Sequence, residues 1–420
     1  MMRAIRTSGR VDASVAVPGS KSITNRALVC AALAHGTSQI RNASDSDDTH
    51  RMVNGLNQFG VLVRRAGALL HVEGTGGRLF APRYPIPVGN AGTTFRFLCS
   101  VAALAQGRTE FQLDPRMAER PMDDLLEALG SLGAVVEGGK GASRFAVTGG
   151  GLHGGVIALR TTESSQFLSS LLLTSPCIGE EFCVRPEGAL PSRPYVDMTL
   201  AVMSRFGVNV GREPGGGYRV EPGMHYHPAD FTTESDVSGA SYFFAAPAIS
   251  GGVVTVSGIQ RSSIQGDIGI LDLLGRMGCD VQESSDGVRV RRDGPLQGID
   301  VDMNGMPDMV PTLAVTALFA EGESRIRNVA HLRYKESDRL HAVAAELQKT
   351  GANVTLHADG IAIRPGDLHG AQLDTHDDHR LAMSFALIGL AIPGISVENP
   401  QCVRKSFPGF WGEFEKLERG

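Results

Sequence analysis

Basic residues recur in short motifs along a chain whose formal charge is −5. They are Lys21 in PGSKS, Arg120 in MAERPMDD, Arg193 in LPSRPYVD, Lys335 and Arg339 in RYKESDRL, Arg380 in HDDHR and Lys405 in RKSFPGF. The chemistry open to such residues is the capture of small anions. Guanidinium forks match carboxylates and phosphates, and local basic clusters focus anions even on an acidic protein. Any one of them is equally readable as a surface charge. Two other signals are weaker. PGSKS has Ser20 before Lys21, where a Walker-type phosphate loop needs glycine. HDDHR and MHYHP each gather histidines without a third matching cluster, so no metal is expected.

The elements that must carry these residues announce themselves through glycine. An apolar run, a glycine and a short strand-like run recur at Gly36, Gly107, Gly179, Gly251, Gly322 and Gly394, with spacings of 71, 72, 72, 71 and 72. A second series, from LNQFGVLV to ELQKTGANV, places Gly60, Gly133, Gly207, Gly278 and Gly351 at spacings of 73, 74, 71 and 73. A helix closed by a C-terminal glycine and followed by a valine-rich strand accounts for each. Six copies then make two domains of three copies each. WGEFEKLERG is a sixth second helix without its strand, and VDASVAV near the N-terminus is the expected donor.

Counting back fifteen and fourteen positions from the first series gives Lys21-Ser22, Gly92-Thr93, Ser164-Ser165, Asp236-Val237, Pro307-Asp308 and His379-Arg380. Fourteen residues at 1.5 Å each is roughly 21 Å of helix, so these pairs belong near six equivalent helix starts. Helix starts favour anions, so a lysine or arginine there opposes the dipole unless a bound anion compensates. Asp236 and Asp308 are also readable as plain N-caps. A non-catalytic repeat scaffold remains an alternative, although it would repeat its caps rather than vary them.

The 420 residues suggest two or three domains, and 42% hydrophobic with 20% charged residues is an ordinary globular balance. The negative charge argues against general nucleic-acid binding. Six cysteines form no CxxC pair. MMRAIRTSGRVDAS lacks the apolar core of a signal peptide, and SFALIGLAIPGISV is too short to span a bilayer, so a soluble, cytoplasmic protein is expected. A monomer is expected separately, since neither segment bears on oligomeric state.

At these motifs, from PGSKSITNRAL and GNAGTTFRFL through SSQFLSSLLL and NGMPDMVPTLAV to DDHRLAMSFAL and RKSFPGF, the chain resembles the 5-enolpyruvylshikimate-3-phosphate synthase family nearly end to end. The resemblance implies an α/β (α+β) fold of two domains. Each holds three βαβαββ repeats in an inside-out barrel-like arrangement, and a hinge crossed twice joins them. One domain is expected to comprise residues 1–17 and 236–420, the other 18–235, with the active site in the cleft between them. The implied shikimate-3-phosphate contacts are Lys21, Ser22, Arg26, Ser164, Ser165, Gln166, Ser192, Asp308 and Lys335. His331 joins them where the family often has asparagine. The implied phosphoenolpyruvate contacts are Lys21, Asn90, Gly92, Arg120, Gln166, Arg339, Arg380 and Lys405. Phe97 follows Arg96 where many members have proline, and is expected to alter the helix after GNAGT.

The implied reaction joins these two small-molecule substrates and releases phosphate. Asp308 would accept the proton of the attacking hydroxyl, and Glu336, helped by Lys21, would protonate the methylene carbon. No cofactor is implied. The related UDP-N-acetylglucosamine enolpyruvyltransferases share the donor, but they carry a different SKNA-type motif and usually a loop cysteine, whereas the loop before RPMDDLL has none.

Overall fold

A computed structural model describes residues 1–419. The chain divides into two units, Gly19–Thr233 and the pair Met1–Pro18 with Glu234–Gly420, so it passes twice between them.

In Gly19–Thr233 the helices are α1 (Lys21–Leu33), α2 (Asp47–Gln58), α3 (Gly92–Leu104), α4 (Pro115–Glu119), α5 (Asp123–Ser131), α6 (Ser165–Thr174) and α7 (Arg193–Arg205). In the other unit they are α8 (Val237–Ser250), α9 (Ile270–Arg276), α10 (Val310–Ala317), α11 (Arg339–Gln348), α12 (His379–Gly389) and α13 (Phe410–Phe414). The helices starting at or just after the counted-back pairs are α1, α3, α6, α8, α10 and α12, with α10 beginning at Val310 after the 3₁₀ turn Pro307–Met309. These are buried almost all round, which marks them as core helices rather than surface ones. Three pack together at the centre of each unit. Their few buried hydroxyls satisfy one another: Ser100 meets Ser170 at 2.6 Å, and Thr312 lies 3.3 Å from Ser241 and 3.4 Å from Ser384.

Each repeat places a parallel strand pair around its central helix and then an antiparallel hairpin after its amphipathic second helix. In the second repeat, Ile86–Gly89 runs parallel to Gly107–Leu113, which pairs antiparallel with Arg144–Gly149 and so leads to Val135–Glu137. The repeat glycines close these elements in left-handed conformations: Gly60 has φ 91° and Gly278 φ 111° after second helices.

The expected strand donor is corrected by the pairing. Met2–Ala4 completes the sixth sheet, antiparallel to Ser396–Glu398. Val11–Ala16, the VDASVA run, pairs with Gly252–Ser257 in the fourth repeat, from Val11↔Gly252 to Ala16↔Ser257. The reason is topological. The strand that precedes α8 in sequence, Asp230–Thr232, lies in the other unit beside His35–Arg41, so the fourth repeat takes the strand that precedes α1. The two crossings are thus an exchange of equivalent strands. Phe97 does not interrupt α3, which runs unbroken through it. Its buried ring lies 5.4 Å from the Arg26 guanidinium. Among the described residues, no helix is long and apolar enough to cross a membrane.

Candidate functional site

In the unit Gly19–Thr233 the chemistry gathers at the starts of α1, α3 and α6. Lys21 opens α1 without a side-chain cap, and its ammonium lies 2.9 Å from Asp48 Oδ2 at the start of α2. Both side chains are largely buried, so the pair is shielded from solvent screening. The Asp48 carbonyl accepts from Thr94 Oγ1 at 3.0 Å, which ties this pair to α3. At the mouth of α3, Asn90 Oδ1 lies 3.5 Å from Arg120 Nη1. A methyl group built on Gly92 would meet the Arg120 guanidinium at 2.7–2.8 Å, so the guanidinium lies directly over the glycine. Any larger residue at 92 would push that guanidinium aside.

Ser164 caps α6 by accepting from the Gln166 N–H at 3.2 Å. The Gln166 amide is held at both ends: its oxygen accepts from Arg96 Nη1 at 2.6 Å and its nitrogen donates to Thr93 Oγ1 at 3.2 Å. Arg96 also donates to the Pro121 carbonyl at 3.0 Å, next to Arg120. Arg26 is 1% exposed and spends three donors on the protein, to Thr199 Oγ1, the Ser22 carbonyl and the Tyr195 carbonyl. Burial pulls it down to about 10, still charged at neutral pH. Ser192, with φ 56°, precedes α7. Arg193, by contrast, is 63% exposed beside Asp197, a surface charge.

In the other unit one guanidinium organises the site. Arg339, at the start of α11 and 1% exposed, donates to Asp308 Oδ1 at 2.8 Å, Glu336 Oε2 at 2.9 Å and Asp378 Oδ2 at 2.8 Å. Arg380, in the first turn of α12, donates to Asp308 Oδ2 at 2.7 Å. Burial alone would raise the Asp308 carboxyl. The charges of Arg380, Lys335 and Arg339 outweigh that and hold it well below the usual carboxylate range. Burial has the opposite effect on His331: with the help of the Lys335 charge, and against that of Asp308, it depresses the imidazole to about 4. His331 is therefore neutral at physiological pH, and its Nε2 is buried without a protein partner. Lys405 ends the short 3₁₀ helix Pro400–Lys405, packed against α12.

The two aspartates with open roles now separate. Asp236 caps α8, accepting from the Gly239 N–H at 3.1 Å. Asp308 precedes α10 in the 3₁₀ turn Pro307–Met309 and gives its carboxylate to the two arginines. Asp48, Arg96 and Asp378 went unnoticed in the sequence, although each orients a named residue. Only Asp378 carried a signal, as the residue just before a counted-back helix start. The histidine clusters have other uses: His376 bonds Glu346, and the His225 and His227 rings stack edge-on at 4.6 Å. Among the described residues, no three His, Cys, Asp or Glu side chains form a metal-holding group.

The family described as EPSP synthase (3-phosphoshikimate 1-carboxyvinyltransferase) matches residues 5–414. A 3-phosphoshikimate 1-carboxyvinyltransferase of Shewanella denitrificans is 43% identical over 414 residues, covering 97% of this chain and 96% of the relative. One of Syntrophobacter fumaroxidans is 43% identical over 422 residues and covers 100% of both. Among solved structures, EPSP synthase from Acinetobacter baumannii superposes with a TM-score of 0.83 at 26% identity, over 99% of this chain and 98% of that one. The enolpyruvyl transferase NikO from Streptomyces tendae shares the fold, with a TM-score of 0.78 at 19% identity over 98% and 96% of the two chains. With the six-repeat fold and a whole-length match in hand, the chain belongs to the EPSP synthase (3-phosphoshikimate 1-carboxyvinyltransferase) family.

Proposed function

We propose that the chain transfers the enolpyruvyl group of phosphoenolpyruvate to the 5-hydroxyl of shikimate 3-phosphate, releasing phosphate by addition and elimination. The observation that carries this reading is the cluster in which Arg339 and Arg380 share the Asp308 carboxylate while Arg339 also holds Glu336. Two guanidiniums suited to a doubly anionic donor lie against two carboxylates suited to proton transfer. The UDP-sugar alternative is not favoured, since the matched family and relatives carry the shikimate name.

The chemistry follows from charge. While both arginines hold it, Asp308 is a weak base. When the phosphate and carboxylate of phosphoenolpyruvate take over the Arg339 and Arg380 donors that Asp308 holds, the carboxylate regains basicity and takes the 5-hydroxyl proton as the oxygen attacks the enol carbon. Glu336, helped by Lys21, takes up a proton as the anionic substrates bind and delivers it to the methylene carbon. The transfers then reverse: the methyl group returns its proton, the C–O bond to phosphate breaks, and the Asp308 proton leaves with the phosphate. A positioned acid or base of this kind contributes about 10²–10⁴-fold. In this reading Lys21, Asn90, Gly92, Arg120, Gln166, Arg339, Arg380 and Lys405 serve phosphoenolpyruvate. Lys21, Ser22, Arg26, Ser164, Ser165, Gln166, Ser192, Asp308, His331 and Lys335 serve shikimate 3-phosphate, and the buried His331 Nε2 supplies the hydrogen bond an asparagine would. Both sets take residues from both units. The reading takes a cytoplasmic monomer without nucleic-acid partners.

The test is phosphate release from phosphoenolpyruvate with either shikimate 3-phosphate or UDP-N-acetylglucosamine as acceptor. Release with the first alone is expected. Release only with the UDP-sugar, or with neither, refutes the assignment.

A further inference from the structure

The turn that delivers Arg380 is held in a conformation that needs outside support. Between the strand Gln372–Leu373 and α12, the Asp378 N–H donates to the Thr375 carbonyl at 2.8 Å. The central residues of this turn, His376 and Asp377, have φ of 49° and 54°. Positive φ at both central positions is the mark of a type I′ turn, which favours asparagine and glycine; here it is built from histidine and aspartate. Non-glycine residues in this region persist only where the surroundings over-determine them.

Those surroundings come chiefly from α11. The Glu346 carboxylate, 2% exposed, accepts from His376 Nε2 at 3.0 Å and from the Asp374 N–H at 2.9 Å, and it also meets the Lys349 ammonium. On the far side Asn399 Nδ2 donates to Asp377 Oδ1 at 2.8 Å. Leaving the turn, Asp378 caps α12 by accepting from the Arg380 N–H at 3.0 Å, and accepts from Arg339 Nε at 2.8 Å. Arg339 and Glu346 sit seven residues apart on α11, two helical turns along one face. One helix therefore fixes Arg339 directly and Arg380 through the Glu346–His376 contact.

We infer that Glu346 and His376 are positioning residues: they brace the 375–378 turn so that Arg339 and Arg380 are set at the separation that binds phosphoenolpyruvate. This rests on the reading above that both arginines take that substrate. A turn needed only to reverse the chain would be served by glycine at 376 and would need no buried carboxylate behind it. Lys349 alone already pairs the Glu346 charge, yet two further donors come from the turn. Pre-organisation of this kind raises affinity without adding a contact to the ligand.

The test uses His376→Gly, which relieves the positive φ while removing the brace, and His376→Gln, whose amide can still reach Glu346. Glu346→Gln removes the charge behind the turn and is the second probe. Steady-state kinetics and thermal melting are measured together on the full-length enzyme. The brace predicts that His376→Gly raises the phosphoenolpyruvate KM about fivefold or more, leaves kcat and the shikimate-3-phosphate KM within about twofold, and does not lower Tm. His376→Gln should restore the KM to within about twofold of wild type, and Glu346→Gln should raise it in the same selective way. An unchanged phosphoenolpyruvate KM in His376→Gly overturns the inference. So does an equal rise in both KM values with a lowered Tm, which would make the contact merely structural. Wild-type protein without turnover would remove the reaction assignment, and the brace's role with it. Wild-type turnover with no selective effect in the variants removes the brace alone.

Discussion

Gly92→Ala offers the sharpest test of how the donor pocket is built. The new methyl carbon would lie 2.7 Å from Arg120 Nη2 and 2.8 Å from both Cζ and Nη1. Ordinary carbon contacts begin at about 3.5 Å, so the guanidinium must retreat by about 0.7–0.8 Å. That end of the side chain is flexible, so the fold absorbs the change. Gly92 is the first residue of α3, where alanine is the better helix former by about 0.8–1.0 kcal/mol at most, so Tm should hold or rise. The displaced fork loses one charge-assisted hydrogen bond to the substrate, worth about 1.5–3 kcal/mol. At about 1.4 kcal/mol per decade, that is a rise of about tenfold to 150-fold in the phosphoenolpyruvate KM. The assay is phosphate release with varied phosphoenolpyruvate at saturating shikimate 3-phosphate, with the reciprocal titration as control. The shikimate-3-phosphate KM should stay within about twofold, because the proposed reading gives Arg120 to the other substrate. A phosphoenolpyruvate KM within about threefold of wild type, in a variant that melts normally, would refute the placement of Arg120 over the donor.

Two further expectations concern the other unit. Asp308→Asn should lower kcat by about 10²–10⁴-fold with little change in the shikimate-3-phosphate KM, and near-normal turnover would remove Asp308 as the base. The same substitution has a signature in stability. The folded pKa of Asp308 is depressed, so its contribution is present above the unfolded value near ~3.9 and lost as pH falls below it. The Tm gap between wild type and Asp308→Asn should therefore be constant at neutral pH and close only below about pH 4, and a gap that closes between pH 7 and 5 would contradict the assigned charges. His331 works in another window: its folded pKa is about 4 against an ordinary 6.5, so the unfolded chain binds the extra proton and wild-type stability falls as pH drops from 6.5 to 4. His331→Asn should flatten the Tm profile across that range, and parallel profiles would show that the imidazole is not buried as described.

Much of the architecture was legible because the repeat imposes a backbone requirement that only certain residues meet. Glycines at both helix exits take left-handed φ, so their spacing survives as a pattern in the chain. Counting back from them located five of the six central helix starts, among them Lys21 opening α1 and His379 opening α12, while α10 begins at Val310, just past the Pro307-Asp308 pair. Through-space pairing left no such trace. Asp48 meets Lys21 from 27 residues away, Asp378 meets Arg339 from 39, and Arg96 meets Gln166 from 70. Each looks in sequence like one more cap or surface charge. The strand exchange was hidden for the same reason: VDASVA alternates correctly for a strand, with Val11 and Val15 buried, but alternation says nothing about which sheet receives it.

The paired carboxylates also explain how the protein holds buried cations at these helix starts. Lys21 is paired by Asp48, and Arg339 and Arg380 by Asp308, Glu336 and Asp378, so these three charges are compensated in a low-dielectric place. Two of these carboxylates, Asp308 and Glu336, are the proposed proton carriers, whereas Asp48 and Asp378 are side chains of 5% and 0% exposure that hold their cations in place. The division has a consequence for catalysis. In the proposed reading an anionic substrate displaces Asp308 from its arginines while Asp378 keeps Arg339 anchored, so binding shifts the basicity of one carboxylate without loosening the guanidinium that binds. A site with a single carboxylate per arginine would have to choose between a firm grip and a responsive base.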